Sequence, residues 1–283
     1  MNQTSNILIP QQIVSSNIRA ATGKTELPLF RKILLGFLAG MFIACGASAS
    51  SVAMHAISNV GLARLVAGCV FPVGLMMIVF VGGELFTGDC LMIMGCLHGN
   101  YSAGRMGKVL TEVFLSNFLG AALFAVLVSH SSQFDFSGGL LGAFTIKVAL
   151  GKATLPFGNA FVSGILCNVF VCLAVLMAAA AKDIAGKVLA IFFPIMAFVV
   201  SGYEHCVANM YYIPAGIIAA SNDTYRQAAE TAYGYSAGQL EALNWSSFLL
   251  KNLLPVTLGN IVGGMVFVGI PLYLIHKEKL RAE

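Results

Sequence analysis

The stretch that decides the fold is Val199-Val200-Ser201-Gly202-Tyr203-Glu204-His205-Cys206-Val207-Ala208-Asn209, in which a carboxylate and an imidazole stand side by side. Mostly apolar runs flank the pair at residues 188–200 and 207–220. Neither run alone reaches the ~20 apolar residues that a helix needs to cross a bilayer, but together they do. The pattern therefore predicts one membrane span broken near its middle; the alternative is an ordinary loop between two half-buried helices. Because irregular backbone at that depth must be buried in protein or line a wet cavity, the ionisable pair marks a candidate functional site.

The composition is typical of an integral membrane protein. Of the 283 residues, 58% are hydrophobic and 10% are charged, whereas soluble domains have roughly 25% charged residues. The seven cysteines fall mostly in apolar runs without metal-type spacing, so we expect small core residues and no disulfide framework, metal or cofactor. We interpret the formal net charge of +4 as the result of basic residues in the loops that orient the protein in the membrane. We therefore expect a lipid bilayer as a partner and no nucleic acid.

The hydrophobic runs predict the transmembrane segments. A second break, Gly82-Gly83-Glu84-Leu85-Phe86-Thr87-Gly88-Asp89, follows the second run and leads into a short apolar piece at 90–97. Residues 221–247 form a long polar connection, with a short surface helix expected near 237–243. The six predicted spans are 33–54, 65–81, 109–129, 155–181, the broken 188–220, and 253–275.

Three parts make up the predicted organisation: a cytoplasmic N-terminal segment at 1–28, a six-span domain at 29–276 and a cytoplasmic tail at 277–283. Apolar positions at helical spacing over 10–21 predict a short amphipathic helix that ends near Gly23. A frayed tail is the alternative interpretation of that segment.

Lysine and arginine residues predict the orientation, because cytoplasmic loops carry an excess of both. With both termini in the cytoplasm, eleven of the 16 basic residues lie inside. The five that lie outside are Arg64, Lys147, Lys152, Arg226 and Lys251.

A weak internal repeat relates the two halves of the chain. Phe71-Pro72 precedes the first break as Phe193-Pro194 precedes the second, and Asn117-x-x-Gly120 in span three matches Asn260-x-x-Gly263 in span six. Because each half has three spans, the second half enters the membrane from the opposite side. The predicted fold is therefore all-α, with six transmembrane helices in a 3+3 inverted repeat and with spans two and five broken. Broken helices at matching positions of inverted halves point to a transport site.

Four candidate site residues, at or near the breaks and the ends of the spans, can each be interpreted in two ways. His205 either lines a pore or is a buried structural histidine; a haem role would need a second mid-membrane histidine. Glu204 either orients the imidazole or satisfies backbone groups freed by the break. The hydroxyl of Thr87 binds either an anion or the imidazole across the pore. Lys152 either attracts anions to a pore mouth or is a lysine that extends towards the lipid headgroups.

Five motifs contain or flank these residues: Gly83-Glu84-Leu85-Phe86-Thr87-Gly88, Lys152-x-x-Leu155-Pro156-Phe157, Gly164-Ile165-Leu166-Cys167-Asn168, Ser201-Gly202-Tyr203-Glu204-His205-x-x-Ala208-Asn209-Met210 and Pro255-Val256-Thr257-Leu258-Gly259-Asn260. In these motifs the chain resembles the formate/nitrite transporter family, from about Pro10 to span six. That resemblance implies an aquaporin-like fold and a homopentamer in which each protomer has its own pore. It implies transport of small monovalent anions such as formate, nitrite or hydrosulfide, with protons as a further candidate partner.

The resemblance also implies the roles of individual residues. His205 and Thr87 would make the central polar contact, and Lys152 would attract the anion. Apolar side chains would narrow the pore on either side of that contact, and further polar residues would support it. The apolar set is Leu75, Leu85 and Phe198 on the cytoplasmic side and Phe71 and Phe86 on the outer side; the supporting set is Glu204, Asn168, Asn209 and Asn260.

We therefore expect a membrane channel for weak-acid anions in the cell inner membrane, without enzymatic activity. Phenylalanines at the proposed constrictions favour formate as the substrate. A hydrosulfide or nitrite channel of the same family is the alternative. A neutral-solute channel of aquaporin type is an alternative of a different class, although the sequence contains no Asn-Pro-Ala motif.

Overall fold

The computed structural model describes residues 7–280. Within this range six helical segments are long and apolar enough to cross a membrane, which confirms the predicted number of spans. The described chain forms an all-helical bundle built from two halves of similar plan.

The first half begins with a helix that precedes the first span and ends with the third span. Its second span is interrupted twice, at Phe71-Pro72 and at the predicted break, before a short 3-10 turn and a last helical piece. The helices are α1 (Pro10–Glu26), α2 (Leu29–Met54), α3 (Val60–Val70), α4 (Val73–Val81), α5 (Phe86–Asp89), α6 (Ile93–His98) and α7 (Ala103–Ser129).

The second half repeats this plan in the opposite orientation. Its first helix, α8, occupies the place that α1 has in the first half, and its last span contains two π-helical stretches. The helices are α8 (Leu140–Ala153), α9 (Phe157–Ala180), α10 (Ile184–Ser201), α11 (Cys206–Ala220), α12 (Asp223–Tyr233), α13 (Ala237–Leu240) and the last span (Ser247–Leu280).

Two helices are not indicated by the hydrophobic pattern. α8 lies between predicted spans three and four; its residues are apolar on nearly every side and it packs against α11 and α12. α12 lies in the polar connection, ahead of α13, which is the short helix expected there. The N-terminal helix α1 continues past Gly23 to Glu26 and buries Val14 and Ile18 on one side. We call the end of the bundle at which α1 lies the α1 face, and the end at which α8 lies the α8 face.

The asparagine–glycine motifs of the repeat have the same structural role in both halves. Gly120 of α7 packs on the backbone of Phe37 in α2, and Gly263 of the last span packs on the backbone of Ile165 in α9. A β-carbon at either glycine would overlap a main-chain carbonyl oxygen, so only glycine permits this separation of the helix axes.

The paired asparagines hold the two breaks. The Asn117 side chain donates to the carbonyls of Gly36 (2.7 Å) and Glu84 (2.8 Å) and accepts from the Phe86 N–H (3.0 Å). Asn117 is fully buried. Breaking a helix in the membrane frees backbone polar groups that have no water to bind. One amide side chain therefore satisfies both ends of the first break.

Asn260 does the same for the second break. It donates to the carbonyls of Gly164 (2.7 Å) and Glu204 (3.0 Å) and accepts from the Cys206 N–H (2.9 Å). The matching partners and distances confirm that the two halves are inverted copies.

Asn117→Ala and Asn260→Ala are each expected to destabilise the fold by about 3 kcal/mol, because every replacement leaves buried backbone groups unsatisfied. The measurement is the midpoint of thermal unfolding of the purified protein in detergent. Asn159→Ala is the matched control, since Asn159 is exposed and its side chain makes no hydrogen bond within residues 7–280. A loss no larger than that of the control would contradict this role for the asparagines.

Candidate functional site

The two breaks meet at a single buried hydrogen bond. Thr87 Oγ1, in α5, lies 3.0 Å from His205 Nε2, at the N-cap of α11. Both residues are buried, with exposures of 0% and 2%. The structure thus brings together the two side chains that the family resemblance pairs as the central polar contact.

The capping interaction of His205 defines which of its nitrogens carries the hydrogen. The backbone N–H of Ala208 donates to His205 Nδ1 at 3.1 Å, so Nδ1 acts as an acceptor. A neutral imidazole with an acceptor Nδ1 carries its hydrogen on Nε2. The Nε2–H therefore points to Thr87, whose hydroxyl accepts it and keeps its own O–H to donate.

Asn168 of α9 binds the backbone of Thr87. Its Nδ2 donates to the Thr87 carbonyl at 3.1 Å and to the Asn260 carbonyl at 2.6 Å. The threonine at the first break is therefore connected through one side chain to the asparagine that holds the second break.

A cavity of about 140 Å³ opens on the α8-face side of this contact. His205, Lys152, Phe71 and Phe198 are among its lining residues. The Phe71 and Phe198 rings pack edge to face at 5.5 Å, and Phe198 stacks on the His205 imidazole at 6.0 Å. The expected grouping of Phe198 with Leu75 and Leu85 is wrong, because Phe198 lines this cavity with Phe71 and the two leucines do not. It lies beside Phe71 because the helical turn before the break directs its ring to the same cavity.

A second cavity, of about 470 Å³, opens on the α1-face side. Leu75 and Leu85 line it, together with Gly88, the neighbour of Thr87. The Thr87–His205 contact therefore stands between the two cavities. Phe86 is a lining residue of neither cavity, and its ring packs edge-on against Phe114 at 5.0 Å.

Lys152 and Glu204 form a buried ion pair on the α8-face side. Lys152 Nζ donates to Glu204 Oε1 at 2.7 Å, with side-chain exposures of 18% and 5%. Glu204 Oε2 accepts from Asn209 (2.6 Å) and Asn252 (3.2 Å). The Glu204 carboxylate thus binds side chains. The backbone groups freed by the break are bound by Asn260 and by Ser163 Oγ, which accepts from the Glu204 N–H at 3.0 Å. Lys152 packs inward, and its amino group also lies 5.3 Å from the Tyr212 ring.

Asn252 is a functional candidate that the sequence does not reveal. Its Nδ2 donates to the Lys152 carbonyl at 2.9 Å as well as to Glu204, and its Oδ1 accepts from the Asn209 amide at 2.7 Å. It is fully buried. No motif marks this residue, because its role depends on the packing of the last span against α8 and α11.

The first half contains an equivalent of the Lys152–Glu204 pair. Lys24 of α1 lies 2.6 Å from Glu84 and 2.5 Å from Asp89. The sequence carries a signal for this pair outside the two breaks, since Lys24-x-x-Leu27-Pro28 repeats Lys152-x-x-Leu155-Pro156. By the inverted repeat, Glu84 corresponds to Glu204 and Asp89 to Asn209.

Lys24 keeps its charge in this setting. Burial alone would lower the pKa of Lys24, but the carboxylates of Asp89 and Glu84 outweigh that effect and raise the pKa above its ordinary value. The charged lysine ties α1 to the first break and forms part of the wall of the α1-face cavity.

The cysteines form no cluster with other candidate ligands in the part of the chain that the structure describes. All seven are free thiols, four of them buried, while Cys69 is exposed on α3. Within residues 7–280 no group of three or more His, Cys, Asp or Glu side chains has the arrangement of a metal site.

Comparison with known proteins identifies the family. A sequence model described as "Formate/nitrite transporter" matches residues 11–274. The chain belongs to the formate/nitrite transporter family. The match covers both breaks and all the site residues described above.

Several curated members of the formate/nitrite transporter family align over almost the whole chain. The formate channel FocA of Haemophilus influenzae is 35% identical over 94% of each chain, and FocA of Escherichia coli K12 is 31% identical over 96% of this chain and 95% of the relative. An uncharacterized transporter, YrhG of Bacillus subtilis, is 36% identical over 97% of this chain and 96% of its own.

Solved structures of family members share the fold. A structure titled "Pentameric formate channel with formate bound" has a TM-score of 0.76 and 32% identity, covering 88% of this chain and 98% of that chain. An "FNT family ion channel" has a TM-score of 0.77 and 28% identity, covering 93% and 98%.

Lys24→Met is expected to loosen α1 from the first break, because two buried carboxyl groups lose their shared cation. The measurement is the rate of maleimide labelling of Ala21→Cys, a buried position of α1, with exposed Cys69 replaced by serine. We expect labelling to become about tenfold faster and Lys24→Arg to restore the slow rate.

Lys108→Met is the control for this experiment, since the Lys108 side chain is 74% exposed and 3.9 Å from its nearest carboxylate partner. Equal labelling rates in Lys24→Met and the control would mean that the ion pairs of Lys24 do not hold α1.

Proposed function

We propose that this protein is a membrane channel for small monovalent weak-acid anions, with formate as the primary substrate. The anion passes from the α8-face cavity, past Thr87 and His205, to the α1-face cavity. The observation that carries the proposal is the buried Thr87–His205 contact between two cavities, each of which is lined by a lysine. The named formate channels among the relatives support formate.

The chemistry follows from the cost of moving an anion into an apolar passage. A bare anion loses its hydration there, at a cost of several kcal/mol. A hydrogen bond from the Lys152 ammonium, which lines the α8-face cavity, offsets part of that cost. A hydrogen bond from the Nε2–H or the Thr87 hydroxyl offsets more at the centre. The apolar side chains that line the two cavities then exclude anions that are not easily protonated, such as chloride, because these gain least from a shared hydrogen bond.

Hydrogen-bond donation by a neutral His205 fits the site better than release of a full proton. If His205 became an imidazolium, Nδ1 would gain a hydrogen and lose its capping bond from Ala208. It would also face the charged Lys152 across the same cavity. A shared hydrogen bond lets a weak-acid anion cross as a nearly neutral species without that penalty.

The orientation and assembly are part of the proposal. The excess of lysine and arginine on the α1 face supports a cytoplasmic position for both termini in the cell inner membrane. The pentameric formate channel among the similar structures supports a homopentamer with a pore in each protomer. Large exposed apolar side chains on the outside of the bundle, such as Leu115 and Leu119 of α7, fit contact with lipid or a neighbouring protomer.

Nitrite and hydrosulfide are the alternative substrates, because both are small weak-acid anions that accept a hydrogen bond from the same donor. The family name itself includes nitrite. A neutral-solute channel gains nothing from a buried lysine at each mouth, so no observation of this site favours it.

In proteoliposomes the purified protein is expected to transport formate fastest, with nitrite and hydrosulfide slower and chloride excluded. Flux of the weak acids should rise as the pH falls from 8 to 5 (a range of about three units around the ordinary pKa of histidine). Stopped-flow swelling measures all four anions in one preparation. Transport of water or glycerol with no transport of these anions would refute the proposed function.

His205→Asn is expected to keep the rise of formate flux on acidification. Asparagine still caps α11, and the amount of neutral formic acid in solution rises on acidification without any titration of residue 205. His205→Phe, which keeps the ring but has no N–H donor, should lower formate flux by about tenfold or more. His130→Asn, at an exposed histidine, controls for loss of any histidine. A pH profile that becomes flat in His205→Asn would show that the ring gives up its proton.

A further inference from the structure

The α8-face cavity has a second cation that no motif assigns. Arg64 of α3 lines this cavity together with Lys152 and His205. It lies on an exposed part of α3, whereas Lys152 lies deeper. Anything that enters the cavity from the α8 face meets Arg64 before it meets the buried pair.

Lys152 alone gives the cavity no net charge. Its amino group pairs with Glu204 at 2.7 Å, and both side chains are largely buried. At longer range a close pair of opposite charges attracts an anion far less than a single cation does. A net positive charge at this entrance therefore requires another cation.

Arg64 has that unpaired charge. Within residues 7–280 no carboxylate oxygen lies within the 4.0 Å ion-pair distance of its guanidinium. In the same range its one protein hydrogen bond runs from Nη1 to the carbonyl of Val200 at 3.2 Å. The other N–H groups of the guanidinium can bind a ligand.

The second break fixes the position of this guanidinium. Val200 is in the last turn of α10, and Gly202, which ends that helix with φ +74°, packs directly against Arg64 Nη1. A side chain at Gly202 would displace the guanidinium, so the glycine serves the arginine as well as the turn. The break that presents His205 therefore also contacts the Arg64 guanidinium and accepts one of its hydrogen bonds.

We propose that Arg64 is the residue that captures the anion at the α8-face cavity and that it favours planar anions with two oxygens. This inference rests on the proposed function and adds a residue that selects among its candidate substrates. A planar guanidinium binds two oxygens of one anion through parallel N–H bonds. Formate and nitrite have two such oxygens, whereas hydrosulfide has one sulfur and gains only the charge.

The test is the concentration dependence of anion uptake into proteoliposomes that contain the full-length protein. Arg64→Gln is expected to raise the KM for formate about tenfold and to leave the maximal rate within about twofold, because capture and passage are separate steps. Arg64→Lys keeps the charge but loses the paired geometry. It should raise the KM for formate and nitrite about threefold and leave the KM for hydrosulfide unchanged.

Arg226→Gln is the matched control, since Arg226 lies on α12 at the same end of the protein and its partner is Glu230 at 3.9 Å. Thermal unfolding midpoints equal to that of the wild type establish that the Arg64 variants are folded. A formate KM in Arg64→Gln equal to that of the control overturns the capture role alone, provided that the wild type transports formate. Failure of the wild type to transport any of these anions overturns the proposed function and this inference together.

Discussion

The structure depends on one constraint: a helix that is broken inside a membrane must find partners within the protein for its freed backbone groups. Asn117 and Asn260 meet that constraint with the same three hydrogen bonds each. Each amide lies on a long helix that packs beside its break, α7 for Asn117 and the last span for Asn260. These helices hold the two breaks in place. Thr87 and His205 can therefore face each other at a hydrogen-bonding distance in the middle of the bundle.

The same constraint explains the direction of the central donor. α11 begins at His205, so its first turn has free N–H groups, and the imidazole accepts one of them at Nδ1. The hydrogen then remains on Nε2, which points away from the helix and towards Thr87. The capping of a helix thus determines how the site can interact with an anion, without any charged partner in contact with the ring among the described residues.

The inverted repeat places a lysine–carboxylate pair at each mouth but leaves the two mouths electrically different. On the α8 face Lys152 pairs with one carboxylate, that of Glu204, which also binds the neutral side chain of Asn209. On the α1 face Asp89 takes the place of Asn209, so Lys24 pairs with two carboxyl groups, those of Glu84 and Asp89. Arg64 adds a cation to the α8-face cavity. Under the proposed function this difference would favour an anion at the α8-face entrance, while the lysine of the α1 face contacts the two carboxyl groups of the first break.

The membrane spans, both breaks and the paired asparagines could be predicted, because hydrophobic length and the cost of ionisable groups in a bilayer leave clear patterns. α8 could not, since a short helix that is apolar on every side has no period. Nor could Asn252 or the side on which Phe198 lies, which depend on tertiary packing.

The central claim is that His205 donates from Nε2, and ¹⁵N NMR of histidine-labelled protein tests it most directly, with His205→Asn to assign the signal. We predict a neutral ring with its hydrogen on Nε2, with and without formate; a hydrogen on Nδ1, or an imidazolium at neutral pH, would contradict that claim.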